Sequence, residues 1–423
     1  MIYAALFFKK ARGWLFVALV FSTILGDLAN INFLSMETYR GPDRGFEVNL
    51  SDLIALSLVI FLILRFPGKL NWLPFNSFWM FLFLMLAIVS TLAAPIKILA
   101  AFTLFKLIKV YLIFWCIVNT LRTSVNLKYI RYAMVCIGVL ITIIALKQKY
   151  VDGLYRIYGP FDHSNTIPLY LNLIMPVLLA WGLADKHLKK WQAVLSIGSA
   201  LGMVFTVVAT SSRAGQALAA GGLLGTLVMA NFRAKSVRVA AISVILLLAI
   251  AAGGIKAADT IIYRMKHAPK SSEEARDEFN IAARKMARDN PFGVGLNNFS
   301  HVLTVTPAYN EHIQVMKNEE QAGVAHHIYL LTAAEMGYPG LAVFVIIITR
   351  FALLALRGFW RSRSLEGLLL FGFFLGFCAL HVSGFFEWAL RITPVTYNFA
   401  IVSGISVALF ETAQKKKALK LVY

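Results

Sequence analysis

The sequence predicts an all-α polytopic membrane protein with about twelve transmembrane helices, and three observations lead to this fold class. Hydrophobic residues make up 59% of the 423 positions and charged residues only 15%, with a mean hydropathy of +0.71. A soluble domain of this size needs more charge to cover its surface. Apolar runs recur along the whole chain, and small basic clusters separate them at regular intervals.

Each candidate span approaches the roughly 20 apolar residues that a helix needs to cross a bilayer, or is shorter where a bundle can shelter it. The long tenth run contains Gly337, Pro339 and Gly340. It should divide there into a short entry helix and a spanning helix, because proline and glycine interrupt the backbone ladder. The predicted spans are residues 13–34, 51–66, 76–93, 98–120, 129–150, 166–184, 191–210, 214–231, 237–258, 326–356, 367–384 and 394–412.

The distribution of basic residues predicts the orientation of these spans. With the N-terminus in the cytoplasm, every second connection is basic, whereas the short connections on the other side, such as 94–97, are poor in lysine and arginine. This bias follows the positive-inside rule and predicts that both termini are cytoplasmic. The basic residues of the inside segments are Lys9, Lys10, Arg12, Arg65, Lys69, Arg122, Lys128, Arg131, Lys186, Lys189, Lys190, Arg233, Lys235, Arg238, Arg357, Arg361, Arg363, Lys415, Lys416, Lys417 and Lys420.

The formal net charge of +20 does not indicate a nucleic-acid-binding protein. The basic residues lie in small clusters between apolar runs and do not form one basic face of a soluble domain. The three cysteines all lie within apolar runs. Their spacing predicts neither a disulfide nor a metal site.

The chain divides into three parts by hydropathy. Residues 1–258 contain nine spans, residues 259–325 form a long polar loop on the outer face, and residues 326–423 contain the last three spans. Long loops are uncommon unless they carry a function or are disordered. This loop is not of low complexity, which favours a function.

The loop is predicted to contain an amphipathic helix. Phe279, Ala282, Ala283 and Met286 recur at helical spacing, and the pair Asn290-Pro291 ends the pattern. Such a helix can lay its apolar stripe over the membrane domain.

The topology restricts the chemistry before any motif does, because the ordered polar segments lie almost entirely on the outer face. Nucleotide-activated substrates stay in the cytoplasm, so an enzyme working outside needs a donor that the bilayer delivers on a lipid. The outer segments contain no Asp-x-Asp pair and no His/Cys cluster with ligand spacing. The sequence therefore predicts a reaction without a metal or cofactor.

His326 is the candidate general base. It ends the long loop and opens a helix, where the positive helix end disfavours imidazolium and keeps the ring neutral near pH 7. A neutral imidazole can take a proton from a hydroxyl group. The adjacent His327 is a secondary candidate, and the alternative is two interfacial histidines that only complete the loop.

Arg213 is the first candidate for binding a diphosphate. It follows Thr210, Ser211 and Ser212 in a short outer turn and begins the next helix, where backbone amides assist anion binding. A charged residue near the membrane is costly unless it is paired or bound to a ligand, so it indicates a function. The alternative is an arginine that extends to the lipid headgroups. Ser212 is a secondary candidate.

Arg276 is the second candidate for the diphosphate. Its spacing places it at the edge of the apolar stripe of the loop helix, so it can face the membrane domain. Arg264 competes with it, because Arg264 lies where the ninth span meets the loop. For both residues the alternative is an ordinary solvated charge.

Two carboxylates are predicted to be structural. Glu335 lies about half a turn round the helix from His326, so it is poorly placed to orient that imidazole, and its position suggests a tertiary partner. Glu387 and Arg391 share the last outer turn and could form a simple ion pair. We keep Glu335 as a secondary site candidate.

Three motifs in this order resemble the signature of the O-antigen ligases. His326-His327, nine further residues and Gly337-x-x-Gly340 resemble the family's His-(Asn/Ser/Gln)-x9-Gly-x-x-Gly motif. Ser212-Arg213 resembles its Ser-Arg turn. Arg276, fifteen residues before Pro291, resembles its pattern of an arginine, a short helix and Asn-Pro-x-x-Gly-x-Gly. The motifs lie within residues 160–345 and are specific for the ligase and polymerase superfamily together.

This resemblance implies a GT-C-like membrane enzyme of lipopolysaccharide maturation. In such an enzyme, O-antigen passes with inversion, without a metal, from undecaprenyl diphosphate to the lipid A–core oligosaccharide at the periplasmic face of the bacterial inner membrane. His326 would be the base, and Arg213 and Arg276 would bind the diphosphate. The large positive charge suits anionic lipid substrates and membrane lipids as partners.

One position departs from the family pattern, and two other functions compete. His327 stands where the family has Asn, Ser or Gln, but the spacing to both glycines selects His326 as the motif histidine. A polymerase of O-antigen or exopolysaccharide would share the fold, the donor and the arginines, and the motif spacing favours the ligase. A transporter of lipid-linked glycans would need polar groups at the midplane and internal repeats, which the sequence lacks.

Overall fold

The computed structural model describes residues 8–25, 30–234, 239–248, 270–311 and 323–422, together with the single positions 1, 236, 237, 251 and 313. Within these residues the chain is mostly helical, with one two-stranded antiparallel sheet. The elements are α1 (Lys9–Ser22), β1 (Asn30–Ser35), β2 (Gly45–Asn49), α2 (Leu50–Arg65), α3 (Ser77–Ala93), α4 (Lys97–Thr123), α5 (Lys128–Leu146), α6 (Thr166–Leu171), α7 (Met175–Ala184), α8 (Lys190–Ala209), α9 (Arg213–Ala234), α10 (Val239–Leu248), α11 (Lys270–Asp289), α12 (Phe299–Val305), α13 (Pro307–Asn310), α14 (Ile328–Arg361), α15 (Leu365–Ser383) and α16 (Thr393–Val422).

A helix lies at each of the twelve predicted positions. Among the described residues, seven helices are long and apolar enough to cross a membrane, and α3, α7 and α10 are shorter apolar helices. The remaining two positions hold the short helices α1 and α2. The chain is therefore a polytopic all-α membrane protein.

The first predicted span, residues 13–34, is wrong in its second half. Helix α1 ends at Ser22, and β1 begins at Asn30 and pairs with β2, with Asn30 opposite Asn49. Asn30 and Asn32 alternate with Ile31 and Phe33, and this period of two fits a strand and not a helix.

The sixth predicted span, 166–184, is divided into α6 and α7. The break lies before Pro176, near the start of α7. Because a proline nitrogen carries no hydrogen, it cannot donate to the carbonyl of Asn172 one turn earlier. Within this break, the side-chain amide of Asn172 donates to the carbonyl of Gly215 at 3.3 Å.

The predicted division of the tenth span is present within α14. Gly337 has φ 68° and ψ −177°, which are not helical angles. The carbonyls of Ala334 and Glu335 accept from Val294 N (2.8 Å) and Gly295 N (3.0 Å). Glu335 would otherwise face the nitrogen of Pro339, which has no hydrogen to donate.

Backbone contacts therefore hold the turn after α11 against this kink. Tyr338 N donates to the carbonyl of Pro291 at 2.9 Å. A Cβ at Gly293 would lie 2.4 Å from the carbonyl oxygen of Glu335, and a Cβ at Gly337 would lie 2.3 Å from that of Pro291. Glycine is required at both positions because the two backbones approach so closely. These contacts fix the polar segment on α14, the helix that begins after the paired histidines.

The two largest of the three apolar cores in the described residues hold these parts together. The larger core lies among the membrane helices. In the smaller core, the stripe of α11 packs on α12 and the first turns of α14, among them Leu331 and Ala334. The stripe residues Phe279, Ala282, Ala283 and Met286 are all buried.

Candidate active site

The centre of the candidate site is a contact between His326 and Glu387. His326 Nδ1 lies 3.4 Å from Glu387 Oε2, and the two side chains are 27% and 12% exposed. Glu387 lies in the segment between α15 and α16, and Ile328 N donates to the carbonyl of Gly384 at 2.9 Å. This backbone bond holds the start of α14 against the segment that supplies the carboxylate.

This contact selects the chemistry of the imidazole. A carboxylate only accepts hydrogen bonds, so Nδ1 of His326 carries the hydrogen between the two groups. In the neutral ring, Nε2 then keeps its lone pair and can accept a proton. A carboxylate on one ring nitrogen is a common way to fix the tautomer and orientation of a basic histidine.

Glu387 also binds two further segments of the chain. Its Oε1 accepts from Arg276 Nη2 at 3.2 Å and from Asn165 Nδ2 at 2.5 Å. Arg276 comes from α11, and Asn165 directly precedes α6. One carboxylate thus gathers the loop helix, the turn before α6 and the histidine at the start of α14.

These donors keep the carboxylate ionised. Burial by itself would raise the pKa of Glu387, but the hydrogen bond and charge of His326, the charge of Arg276 and the hydrogen bond from Asn165 together hold it below its ordinary value. Glu387 is therefore an anion near neutral pH, as the orientation of His326 requires.

Arg156 extends the network towards the turn before α9. Its Nη2 donates to Asn165 Oδ1, and its Nε donates to the carbonyl of Thr210 at 2.8 Å. Burial and the positive charge of Arg276 lower the pKa of Arg156, and the charge of Glu387 opposes them. Two guanidinium groups therefore lie near the same carboxylate.

Arg213 lies at the other end of this network. Ser211 has φ 60°, which turns the chain sharply after α8, and Arg213 is the exposed first residue of α9. Ser212 N donates to Thr210 Oγ1 at 3.2 Å. Among the described residues no ion pair engages Arg213. The structure ties its turn to the His326 cluster through Arg156, but shows no direct contact between the Arg213 and His326 side chains.

His327 has a different environment from His326. It is the N-cap of α14, and its Nδ1 accepts from Leu330 N at 3.3 Å. Burial and the positive charge of Arg284 lower the pKa of His327, which favours the neutral ring that this cap needs. The motif position that holds Asn, Ser or Gln in the resembled family is thus a capping position here, and Asn and Ser are favoured N-caps.

Glu335 has the tertiary partner that its position suggested, whereas Glu387 does not pair as the sequence suggested. The interpretation of Glu387 and Arg391 as a simple ion pair is wrong, because Arg391 Nη2 pairs with Glu335 Oε2. Glu335 is fully buried and does not contact His326, so it is no part of this cluster. Arg264 lies outside the described residues.

Three members of the cluster were missed or underrated from sequence, namely Glu387, Asn165 and Arg156. A usable signal existed for the first of them. Glu387 is an acidic residue in a short outer connection, next to the aromatic residues Phe386 and Trp388. Asn165 and Arg156 have no such signal, because only the tertiary fold brings their loop beside Glu387.

The described residues contain no group of three or more His, Cys, Asp or Glu side chains arranged to hold a metal ion. The metal-free reaction remains a prediction. The cluster itself offers one base, one orienting carboxylate and two or three cations. This set suits proton removal beside an anion.

Comparison with known families gives one match. The family model described as O-antigen ligase matches residues 198–345, about a third of the chain. The matched segment contains Arg213, Arg276 and His326, whereas Arg156, Asn165 and Glu387 lie outside it. No curated protein matches the sequence significantly. The many apolar helices show a polytopic membrane protein, and the matched segment, an O-antigen ligase domain at residues 198–345, supports membership of the O-antigen ligase/polymerase superfamily.

Proposed function

We propose that this protein is an O-antigen ligase. It would transfer O-antigen from undecaprenyl diphosphate to a hydroxyl group of the lipid A–core oligosaccharide, with inversion at the anomeric carbon and without a metal or cofactor. The observation that carries the proposal is the pairing of His326 with Glu387, with Arg276 on the same carboxylate, in a chain that matches the O-antigen ligase model.

His326 acts as the general base. Its Nε2 takes the proton of the acceptor hydroxyl, and the acceptor oxygen then forms the new bond to the anomeric carbon. Glu387 holds the ring by its other nitrogen and stabilises the imidazolium that forms. General base catalysis of this kind contributes typically about 10²–10⁴-fold.

The arginines bind the leaving group. As the bond between the anomeric carbon and the diphosphate oxygen breaks, negative charge grows on undecaprenyl diphosphate. Arg276 and Arg213 stabilise this charge. We add Arg156 as a third cation, since its guanidinium lies near the same Glu387. Ser212 shapes the turn that presents Arg213. Charge stabilisation is often the largest single catalytic contribution.

The reaction takes place at the periplasmic face of the bacterial inner membrane, and both termini lie in the cytoplasm. The positive-inside pattern supports this orientation. The formal charge of +20 favours contact with two anionic lipid substrates and with membrane lipids.

The test uses a bacterial strain that lacks its own ligase. Variants His326→Ala, Arg213→Ala, Arg276→Ala and Arg156→Ala are expressed there, and lipopolysaccharide is separated on a gel. We expect wild type to restore the long-chain ladder and His326→Ala to abolish it. Each arginine variant should lower transfer by about 10²–10³-fold. His301→Ala is the matched control, because His301 lies in the same polar segment and outside the cluster.

Two outcomes would contradict the proposal. If His326→Ala restores the ladder as well as wild type does, His326 is not the general base. If wild type restores no ladder but restores chain extension in a polymerase-deficient strain, the acceptor is a growing glycan. The protein is then a polymerase of the same superfamily.

A further inference from the structure

A second feature lies beside the cluster and has no role in the mechanism above. It is a pocket of about 440 Å³, within the usual size range of small-molecule sites. Its walls are the hairpin and the start of α2 (41–51), the turn 160–166, and the segment 388–397. Residues Ser22 and Thr23 at the end of α1 complete it.

The pocket shares two of its walls with the candidate active site. Trp388, which lines the pocket, directly follows Glu387 in the chain. His163 and Thr166, which also line it, flank Asn165, the residue that donates to Glu387. A molecule in the pocket therefore lies against the same two segments that position His326.

The lining has the chemistry of a site for a sugar ring. Trp388 is half-buried and offers a flat apolar surface. Arg44, Asp162 and His163 are exposed lining residues that face the pocket from opposite walls. They supply planar hydrogen-bond donors and acceptors. A pyranose has the matching shape, with an apolar face and hydroxyl groups round its edge.

The same lining does not suit a phosphate group. Asp43 is engaged by Lys106, and Arg391 is engaged by Glu335, so neither of these buried charges is available. The remaining lining arginine, Arg44, shares the pocket with the carboxylates of Glu47 and Asp162, which repel a phosphate. The arginine cluster round Glu387 is the place where an anion would bind.

We propose that this pocket is a subsite for an uncharged pyranose of the substrate glycan, which stacks on Trp388 and bonds through its hydroxyl groups to Asp162 and His163. The proposal rests on the proposed glycan transfer for the identity of the substrate. The sugar belongs to the donor chain or to the acceptor oligosaccharide, since both present the same chemistry.

The first experiment measures binding without catalysis. The full chain in lipid nanodiscs is mixed with lactose, maltose, chitobiose or inorganic diphosphate, and saturation-transfer NMR detects which sugar protons contact the protein. We expect transfer to at least one disaccharide. The affinity should fall about tenfold in Trp388→Ala and in Asp162→Ala, the loss expected for one good contact. Trp388→Phe should keep part of it.

Two control variants separate this inference from the proposed function. Trp191→Ala removes an exposed tryptophan at the start of α8, away from the pocket, and should keep wild-type binding. His326→Ala should also keep it, because His326 does not line the pocket. If wild type binds the sugar but does not transfer glycan, only the proposed function is refuted. The subsite is overturned if the NMR experiment detects no saturation transfer to any sugar, or if saturation transfer is as strong in Trp388→Ala and Asp162→Ala as in wild type. Displacement of the sugar by diphosphate also overturns it.

The second experiment identifies the source of the sugar. Purified wild type and Asp162→Ala are assayed with an undecaprenyl-diphosphate oligosaccharide as donor and a core oligosaccharide as acceptor. A KM that rises about tenfold for the donor alone places the donor glycan in the pocket, and the same rise for the acceptor alone places the acceptor there. The value of kcat should not change. Unchanged KM values for both substrates would refute the proposal.

Discussion

Two carboxylates, Glu387 and Glu335, each bind an arginine, and the comparison between them separates an open cluster from a buried pair. Glu387 is 12% exposed and pairs with Arg276 at 3.2 Å. Glu335 is 0% exposed and pairs with Arg391. Arg391 lies only four positions after Glu387, so the two pairs share one short connection.

The partners of the two carboxylates differ in kind. Glu387 binds His326, Arg276 and Asn165, which come from three separate segments. Glu335 binds one arginine inside the protein, and the carbonyl of Arg391 in turn accepts from Lys106 Nζ at 2.7 Å. Asp43 then pairs with Lys106 and with Thr103.

The difference shows how the same residue types serve two purposes. The buried network fixes the connection between α15 and α16 to α4 and α14, and its charges are engaged with one another. The open network leaves donors at the edge of the protein, where an anion or a hydroxyl group can approach. The buried pair thus keeps the segment in place, and Glu387 on that segment contacts the imidazole of His326.

The largest effect should follow from breaking the buried pair. Glu335→Gln keeps the size of the side chain but leaves the Arg391 charge buried without a counterion. We expect the free energy of unfolding to fall by about 3–5 kcal/mol. The measurement is thermal unfolding of the purified protein, together with the yield of monodisperse protein.

The double variant Glu335→Gln, Arg391→Gln is the matched control for this prediction. It removes both charges, so most of the lost stability should return. If Glu335→Gln alone melts at the temperature of wild type, the pair does not hold the segment, and the contrast between the two carboxylates fails.

A smaller effect, on rate and not on folding, should follow from changing the open carboxylate. Glu387→Gln keeps the shape but loses the charge that orients His326 and stabilises its protonated form. We expect kcat to fall by about 10–100-fold, the range typical of residues that orient a catalytic ligand. KM should change little, and the melting temperature should fall by no more than a loss of roughly 1 kcal/mol of stability produces. A fall in stability with kcat unchanged would instead give Glu387 a structural role like that of Glu335.

The stability that Glu387 contributes should depend on pH. Its pKa in the folded protein lies below the ordinary value of 4.5. The contribution is therefore complete above pH 4.5 and is lost as the pH falls through the lower folded value. We expect wild type to melt above Glu387→Gln by a margin worth roughly 1 kcal/mol at pH 7, and this margin should vanish in acid. A margin that grows as the pH falls would contradict the sign.

Most of the fold was predictable because the membrane leaves few choices. Apolar runs such as 98–120 and 367–384 can form all their backbone hydrogen bonds within the membrane only as helices, and the structure has α4 and α15 there. The predictions were wrong where local chemistry competes with hydropathy. The alternation at Asn30 to Phe33 forms a strand inside an apolar stretch, and Pro176 divides the sixth span.

The candidate site was predictable only in its local part. His326, Arg213 and Arg276 each belong to a short motif, and a motif can be read without knowing the fold. Glu387 and Asn165 contribute single side chains from connections that are 222 positions apart in sequence. Such pairings depend on how helices pack, and a single sequence taken by itself carries no record of that packing.

The smallest predicted effect concerns His327 and shows that the two adjacent histidines differ in role. His327→Ala removes the N-cap of α14 and should cost about 1 kcal/mol of stability, whereas His327→Asn keeps a capping oxygen and should cost a few tenths. Neither change reaches the His326–Glu387 contact, so glycan transfer should persist in both variants. Melting temperatures and the lipopolysaccharide ladder check the two halves of this prediction. Loss of the ladder in a stable His327→Asn would move the base from His326 to His327, because an asparagine can cap a helix but cannot take a proton.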